Sequence, residues 1–197
     1  MAASRRERRQ ETETPDSFLR LEPALKVWRW RSKEVPMYVA LKSLTVVLAA
    51  VTMGLSLAHA LEFPGKLRLS KEQYLIVQSI YYPGFTLGGI AEFAVIVATL
   101  VLLALTPPDT RQFWLIAGAL LALVAVQAIF WLMTQPLNKY WLRETKISQP
   151  AKRFFELGQG GIPHDWLVAR DEWERSHILR AIAAMLGLIL LTVAVAS

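Results

Sequence analysis

Four apolar stretches, near residues 37–61, 84–106, 112–135 and 178–196, are each close to the roughly 20 residues a helix needs to cross about 30 Å of hydrocarbon. Hydrocarbon offers no water to backbone N–H and C=O groups, so such stretches must satisfy themselves as helices. At 54% hydrophobic and 19% charged, a chain of 197 residues is too apolar for a soluble domain. The fold class read from this is all-α: an integral membrane, multi-pass four-helix bundle over 37–197, with the lipid bilayer as its first partner.

Residues 1–36 form a basic extension. It begins Arg5-Arg6-Glu7-Arg8-Arg9 and lacks a long apolar run, so it is expected to be disordered or to lie on the membrane surface. The segment Leu25-Lys26-Val27-Trp28-Arg29-Trp30-Arg31 mixes cations with indole rings, a composition suited to the headgroup layer. The net charge of +6 is therefore assigned to anionic lipid and not to nucleic acid. Lys26, Arg29, Arg31 and Lys33 lie nearest the first span and favour a cytoplasmic N-terminus. The chain has no cysteine, which excludes disulfides, thiolate metal sites and iron–sulfur clusters. No phosphate-cradling glycine loop, dinucleotide fingerprint, serine elbow or zinc-spaced His/Glu pair occurs.

The second apolar stretch can begin as early as Lys71, with Pro83 kinking it, and Pro107-Pro108-Asp109 makes a tight turn into the third. A helix from Asp165 to the C-terminus would give the last span a long amphipathic extension. Between them lies a loop with Gly158, Gly160, Gly161 and Pro163, in which His164 is expected to meet solvent.

Antiparallel spans bring the end of helix 1, the start of helix 2, the end of helix 3 and the start of helix 4 to one membrane face, and the unusual polar residues concentrate there. Trp166, Arg170, Trp173, His177 and Arg180 are spaced 4, 3, 4, 3, a single helical stripe. Asp171, Glu172, Glu174 and Arg175 fall off that stripe and are expected to be solvated. Helix 1 offers Thr45, Thr52, Ser56, His59 and Glu62; helix 3 offers Gln127, Trp131, Thr134 and Asn138, with Pro136 ending or bending it. Such stripes serve either a site or bonding between helices. Gly84 and Gly88 permit close helix approach, and Glu92 is the carboxylate well inside a span: a proton-holding group, a partner for Arg180 or a histidine, or a hydrogen-bond clamp.

Residues 54–64 (GLSLAHALEFP), Pro136-Leu137-Asn138-Lys139 and the run from Trp166 to Arg180 together resemble the anthrone-oxygenase-like family of small four-helix membrane proteins. The resemblance implies oxidation of an activated ring CH2 to a carbonyl by molecular oxygen, with no metal or other cofactor. It implies His59, Asn138, His177 and Arg180 as catalytic residues. Trp173, Trp166, Arg170, Tyr82 and Trp131 would bind a lipophilic aromatic substrate, and Glu92 would be a buried acid. The long basic extension and the long loop before the last helix depart from the family pattern.

Three function classes stay open on sequence alone. The first is a cofactor-independent oxygenase or related proton-transfer enzyme, which requires His59 and His177 to meet at one cavity. The second is a membrane protein with haem held by those two imidazoles. The third is a non-catalytic subunit, small transporter or adaptor.

Overall fold

The computed structural model describes residues 17–141 and 165–197. The Arg5 to Arg9 cluster, the glycine-bearing loop and His164 lie outside them. The chain divides into two units, residues 1–40 and 41–197. In the first, residues 17–40 are helical.

Every described element is helical. The helices are α1 (Ser17–Lys66), α2 (Lys71–Ile80), α3 (Gly84–Ala104), α4 (Arg111–Ile129), α5 (Gln135–Trp141) and α6 (Trp166–Ala196), with a π-helical turn, Phe130–Thr134, between α4 and α5. Three segments are long and apolar enough to cross a membrane: Pro36–Lys66, Arg111–Asn138 and Trp166–Ala196. The apolar part of α3, Gly88–Ala104, is shorter. The chain therefore has an all-α, bundle-like membrane fold.

Several boundaries differ from those read in the sequence. The helix of the first span runs on past 61 to Lys66, whereas the last begins at Trp166 behind its cap Asp165, as the expected long extension requires, so Lys66 and Glu174 are both helical. The second stretch is two helices, not one kinked helix. Ser70 caps α2, its hydroxyl accepting from Gln73 N while the Gln73 side chain accepts from Ser70 N; this reciprocal box starts a helix without help from packing. The chain then breaks at residues 81–83 before α3. Pro136 does not stop the third helix, because the π turn just before it absorbs the irregularity and the helix resumes as α5.

The core of the second unit is the seam of α4 and α6. Ile116, Ala119, Leu123 and Val126 recur at 3, 4, 3 on α4, and Ala184, Gly187, Leu191 and Ala194 at 3, 4, 3 on α6, all buried. Matching stripes of this period place one face of each helix against the other. Small residues bring the backbones close: a Cβ at Gly187 would sit 3.2 Å from Leu123 Cγ. At the far end Gln112 Nε2 donates to Ala194 O at 2.7 Å.

Candidate functional site

At the opposite end from the Pro107-Pro108 turn, α1, α2, α3, α4, α5 and α6 surround a cavity of about 390 Å3. Its wall includes His59 from α1, Gln78 from α2, Tyr81, Tyr82, Phe85, Glu92 and Phe93 from the break and α3, Gln127 from α4, Thr134 from the π turn, Asn138 and Trp141 from α5, and Trp173, His177 and Arg180 from α6. Sequence separations above 100 residues thus collapse to ring contact. The His59 and His177 imidazoles lie 4.2 Å apart between centroids, inclined at 34°. Tyr81, Phe85 and Trp173 pack round His59 at 4.4, 4.5 and 5.2 Å, and Trp173 lies 4.1 Å from His177.

The polar groups are organised behind this pair. Glu92 accepts from Arg180 Nη2 with one oxygen and from Gln127 Nε2 at 2.8 Å with the other. Its carboxylate is a clamp between α3, α4 and α6, paired as a buried charge must be. Arg180 Nη1 lies 3.4 Å from His177 Nδ1. A guanidinium only donates, so that Nδ1 is the acceptor, and neutral His177 carries its proton on Nε2. Nε2 is buried without a partner, as is Nδ1 of His59. Each histidine therefore holds unspent hydrogen-bonding capacity in a site where orphaned polar atoms are costly.

Asn138 lies at the cavity, but its amide is engaged: Nδ2 donates to Gln135 Oε1 at 3.1 Å, and Oδ1 accepts from Trp173 Nε1 at 3.0 Å. It orients the Trp173 ring. Thr134 and Ser176 hydroxyls meet at 2.9 Å and lock α6 against the π turn.

The sequence-derived set divides accordingly. His59, Glu92, Asn138, Trp173, His177, Arg180 and Tyr82 come together at the cavity. Trp166, Arg170 and Trp131 do not line it. Arg170 stacks on Trp166 at 5.3 Å and pairs with the exposed Asp171 at 2.8 Å, one turn nearer the helix start. Trp131 sits inside the π turn, which uses more residues per turn than an α-helix and so rotates a 4, 3, 4 stripe out of line; its ring packs 5.3 Å from Phe130.

Glu174, expected in solvent, is wholly buried. It accepts from the Tyr74 hydroxyl at 2.8 Å and pairs with buried Lys66 at 3.2 Å. Lys66 also pairs with Glu62 at 3.2 Å and lies 4.8 and 5.0 Å from the Tyr81 and Trp173 ring centres. Tyr81 donates to Glu62. The two phenols lie outside the spans, and both are held well above their ordinary pKa. Burial is the larger cause for each, followed by the Glu174 charge for Tyr74 and the hydrogen bond to Glu62 for Tyr81.

Sequence reasoning missed Lys66, Tyr74, Gln78, Tyr81 and Glu174. The signals were present: Tyr74, Gln78 and Tyr81 are spaced 4, 3, and Glu174 stands 4 after Arg170 and 3 before His177.

The family model for anthrone oxygenase matches residues 78–190, more than half of the chain. The match contains Asn138 and the whole run from Trp166 to Arg180, and begins after His59. No curated protein and no solved structure matches.

Proposed function

The chain belongs to the anthrone oxygenase family, and from that premise we propose that it oxidises the activated CH2 of a flat, lipophilic fused-ring ketone to a carbonyl with molecular oxygen, using side chains alone. The observation that carries this is the contact of His59 and His177, each with an unpartnered ring nitrogen, inside an aromatic-walled cavity.

In this reading His59 is the general base. Its imidazole takes one proton from the ring CH2, and the electron pair left behind spreads onto the carbonyl oxygen. His177 donates its Nε2–H to that oxygen; Arg180, held by Glu92, fixes the tautomer from behind. The electron-rich anion passes one electron to molecular oxygen, and the two radicals join as a C–O bond. The imidazolium returns its proton to the distal oxygen to give a hydroperoxide. Loss of the second ring C–H proton and of hydroxide then forms C=O. In balance, the ring methylene and one molecule of oxygen give the ring carbonyl and one molecule of water. Tyr81, Phe85 and Trp173 would stack on the flat substrate. Glu92 and Asn138 act as positioning residues, because their polar atoms are already engaged.

The ring contact argues against haem. Two axial imidazoles bind from opposite faces of a macrocycle, and rings 4.2 Å apart leave no room for one between them.

The test is oxygen uptake by the protein in lipid vesicles supplied with anthrone. One molecule of oxygen should be consumed per anthraquinone formed, with His59→Ala slower by about 10^2–10^4-fold, the usual contribution of a general base. Uptake no faster than in protein-free vesicles sinks the proposal. Anthrone bound without turnover would leave a ring-binding membrane protein.

A further inference from the structure

The cavity has a polar end and an apolar end, and they face different surroundings. His59, Glu92, Trp173, His177 and Arg180 are all buried. Ile90 and Phe93 also line the cavity, yet they are 65% and 50% exposed. A residue that does both stands at an opening.

The location of that opening follows from helical spacing. Ile90, Phe93, Val97 and Leu100 recur at 3, 4, 3 along α3 and are all exposed large hydrophobics. Such a stripe on an apolar helix of a membrane protein faces lipid. The mouth is thus cut into the lipid-facing side of α3 and not into an aqueous surface.

Two adjacent glycines at this place have opposite surroundings. A Cβ at Gly88 would overlap the Leu55 side chain, so Gly88 brings α3 against α1. Gly89 lines the cavity, and a Cβ there would meet nothing within 4 Å. Packing therefore does not require glycine at 89. A larger residue would fit the fold and project into empty cavity.

We infer that Gly89, Ile90 and Phe93 form a lateral portal through which the ligand enters directly from the bilayer, and that the ligand class is a fused-ring phenol or its keto form bearing an apolar substituent. The ring oxygen goes to the buried His177 end, and the apolar part trails past Ile90 and Phe93 into lipid. A charged or water-confined ring has no route in. The inference rests on the reading of this cavity as a ligand site, and not on the oxygen chemistry.

The experiment measures uptake of 6-dodecyl-2-naphthol, a fluorescent probe confined to the bilayer, by the full chain in phosphatidylcholine vesicles, with 2-naphthol-6-sulfonate as the water-confined comparison. The wild-type protein should take up the first and not the second. Gly89→Phe should slow uptake about tenfold or more, since narrowing an entry acts on the association rate, while Val97→Phe, on the same exposed stripe but outside the cavity wall, should leave it unchanged. A plug can also be built after folding: the chain has no cysteine, so Ile90→Cys can be alkylated with a bulky maleimide in assembled vesicles, with the same slowing expected. Equal uptake before and after alkylation, uptake of the sulfonate at the rate of the dodecyl probe, or no uptake of either overturns the portal. If the probe binds through the portal but anthrone is not oxidised, the oxygenase reading fails and the portal stands. If anthrone is oxidised at the same rate before and after alkylation, the portal fails and the oxygenase reading stands.

Discussion

Two ionic networks, one buried throughout and one with a half-exposed carboxylate, lie by the aromatic wall formed by Tyr81 and Trp173. Facing the cavity, Arg180, Glu92 and Gln127 form a charge-balanced set: one cation, one anion, and both carboxylate oxygens of Glu92 bonded, with Arg180 Nε and Gln127 Oε1 left unpartnered. Behind the wall, Lys66 serves two carboxylates, Glu62 and Glu174, and Glu174 Oε2 is left without a partner. The first set touches a histidine and lines the cavity; the second does neither. Burial of charge is thus no guide by itself to where chemistry happens. What separates the two is access to the cavity, and the second network instead ties α1, α2 and α6 together beneath the rings that the first one uses.

The sharpest break of this comparison is Arg180→Leu. It strands buried Glu92 without its cation and should destabilise the protein by about 3–5 kcal/mol, the cost of removing one partner of a buried pair. Adding Glu92→Leu should recover at least half of that loss, because two apolar residues carry no unpaired charge. Turnover should stay lost in both, as His177 no longer has the donor that fixes its tautomer. Thermal unfolding in detergent measured beside anthrone oxidation separates the two effects. Recovery of turnover in the double variant would show that the cavity network is structural as well.

Lys66→Met tests the other network. The loss should be smaller, about 2–3 kcal/mol, because Glu62 is 44% exposed and falls back on water, and Glu174 keeps its bond from Tyr74. Turnover per folded molecule should change by no more than about threefold, since less than ~1 kcal/mol reaches the transition state. A much larger fall in turnover at unchanged KM would move Lys66 into the catalytic apparatus.

The two glycines give a third contrast. Gly88→Ala forces the Leu55 methyl end to swing toward the cavity and should cost up to about 1 kcal/mol, the low end of overpacking, because that end is flexible and has room. Gly89→Ala meets nothing and should lie within about 0.5 kcal/mol of wild type. Equal effects would show that α1 and α3 do not approach at Gly88.

The all-α membrane fold is legible in the long apolar runs, and spacings of three and four near the helix ends assign His59 and His177 to one membrane face; their ring contact is a tertiary fact that spacing leaves open. The losses have specific causes. Glu174 was assigned to solvent because the stripe was drawn one residue wide, whereas the buried face of α6 accommodates two adjacent residues, Trp173 and Glu174. Lys66 fell beyond a span ended at 61, although it stands one turn after Glu62. Tyr74, Gln78 and Tyr81 sit in a run apolar enough to read as a continuation of the second stretch, although their 4, 3 spacing marks one helical face. Trp131 could not be placed from spacing, since a π turn in a run such as FWLMT leaves no local signature and shifts everything within it.

The last contrast concerns the phenols beneath the wall. Tyr74 and Tyr81 hold their protons in the folded protein above the ordinary value of 10.0. The unfolded chain releases those protons near that value, so above it the folded state binds more protons than the unfolded one, and stability falls as pH rises. The contribution is complete below about pH 10 and is lost progressively above it. In absorbance at alkaline pH, these two phenols should titrate after the others, and only as the protein unfolds. Tyr74→Phe should cost about 1–3 kcal/mol at neutral pH, because it takes a hydroxyl donor from buried Glu174, and should flatten the alkaline decline. If Tyr74→Phe leaves that decline unchanged, the proton linkage lies elsewhere, and the network behind the wall is held by Lys66 alone.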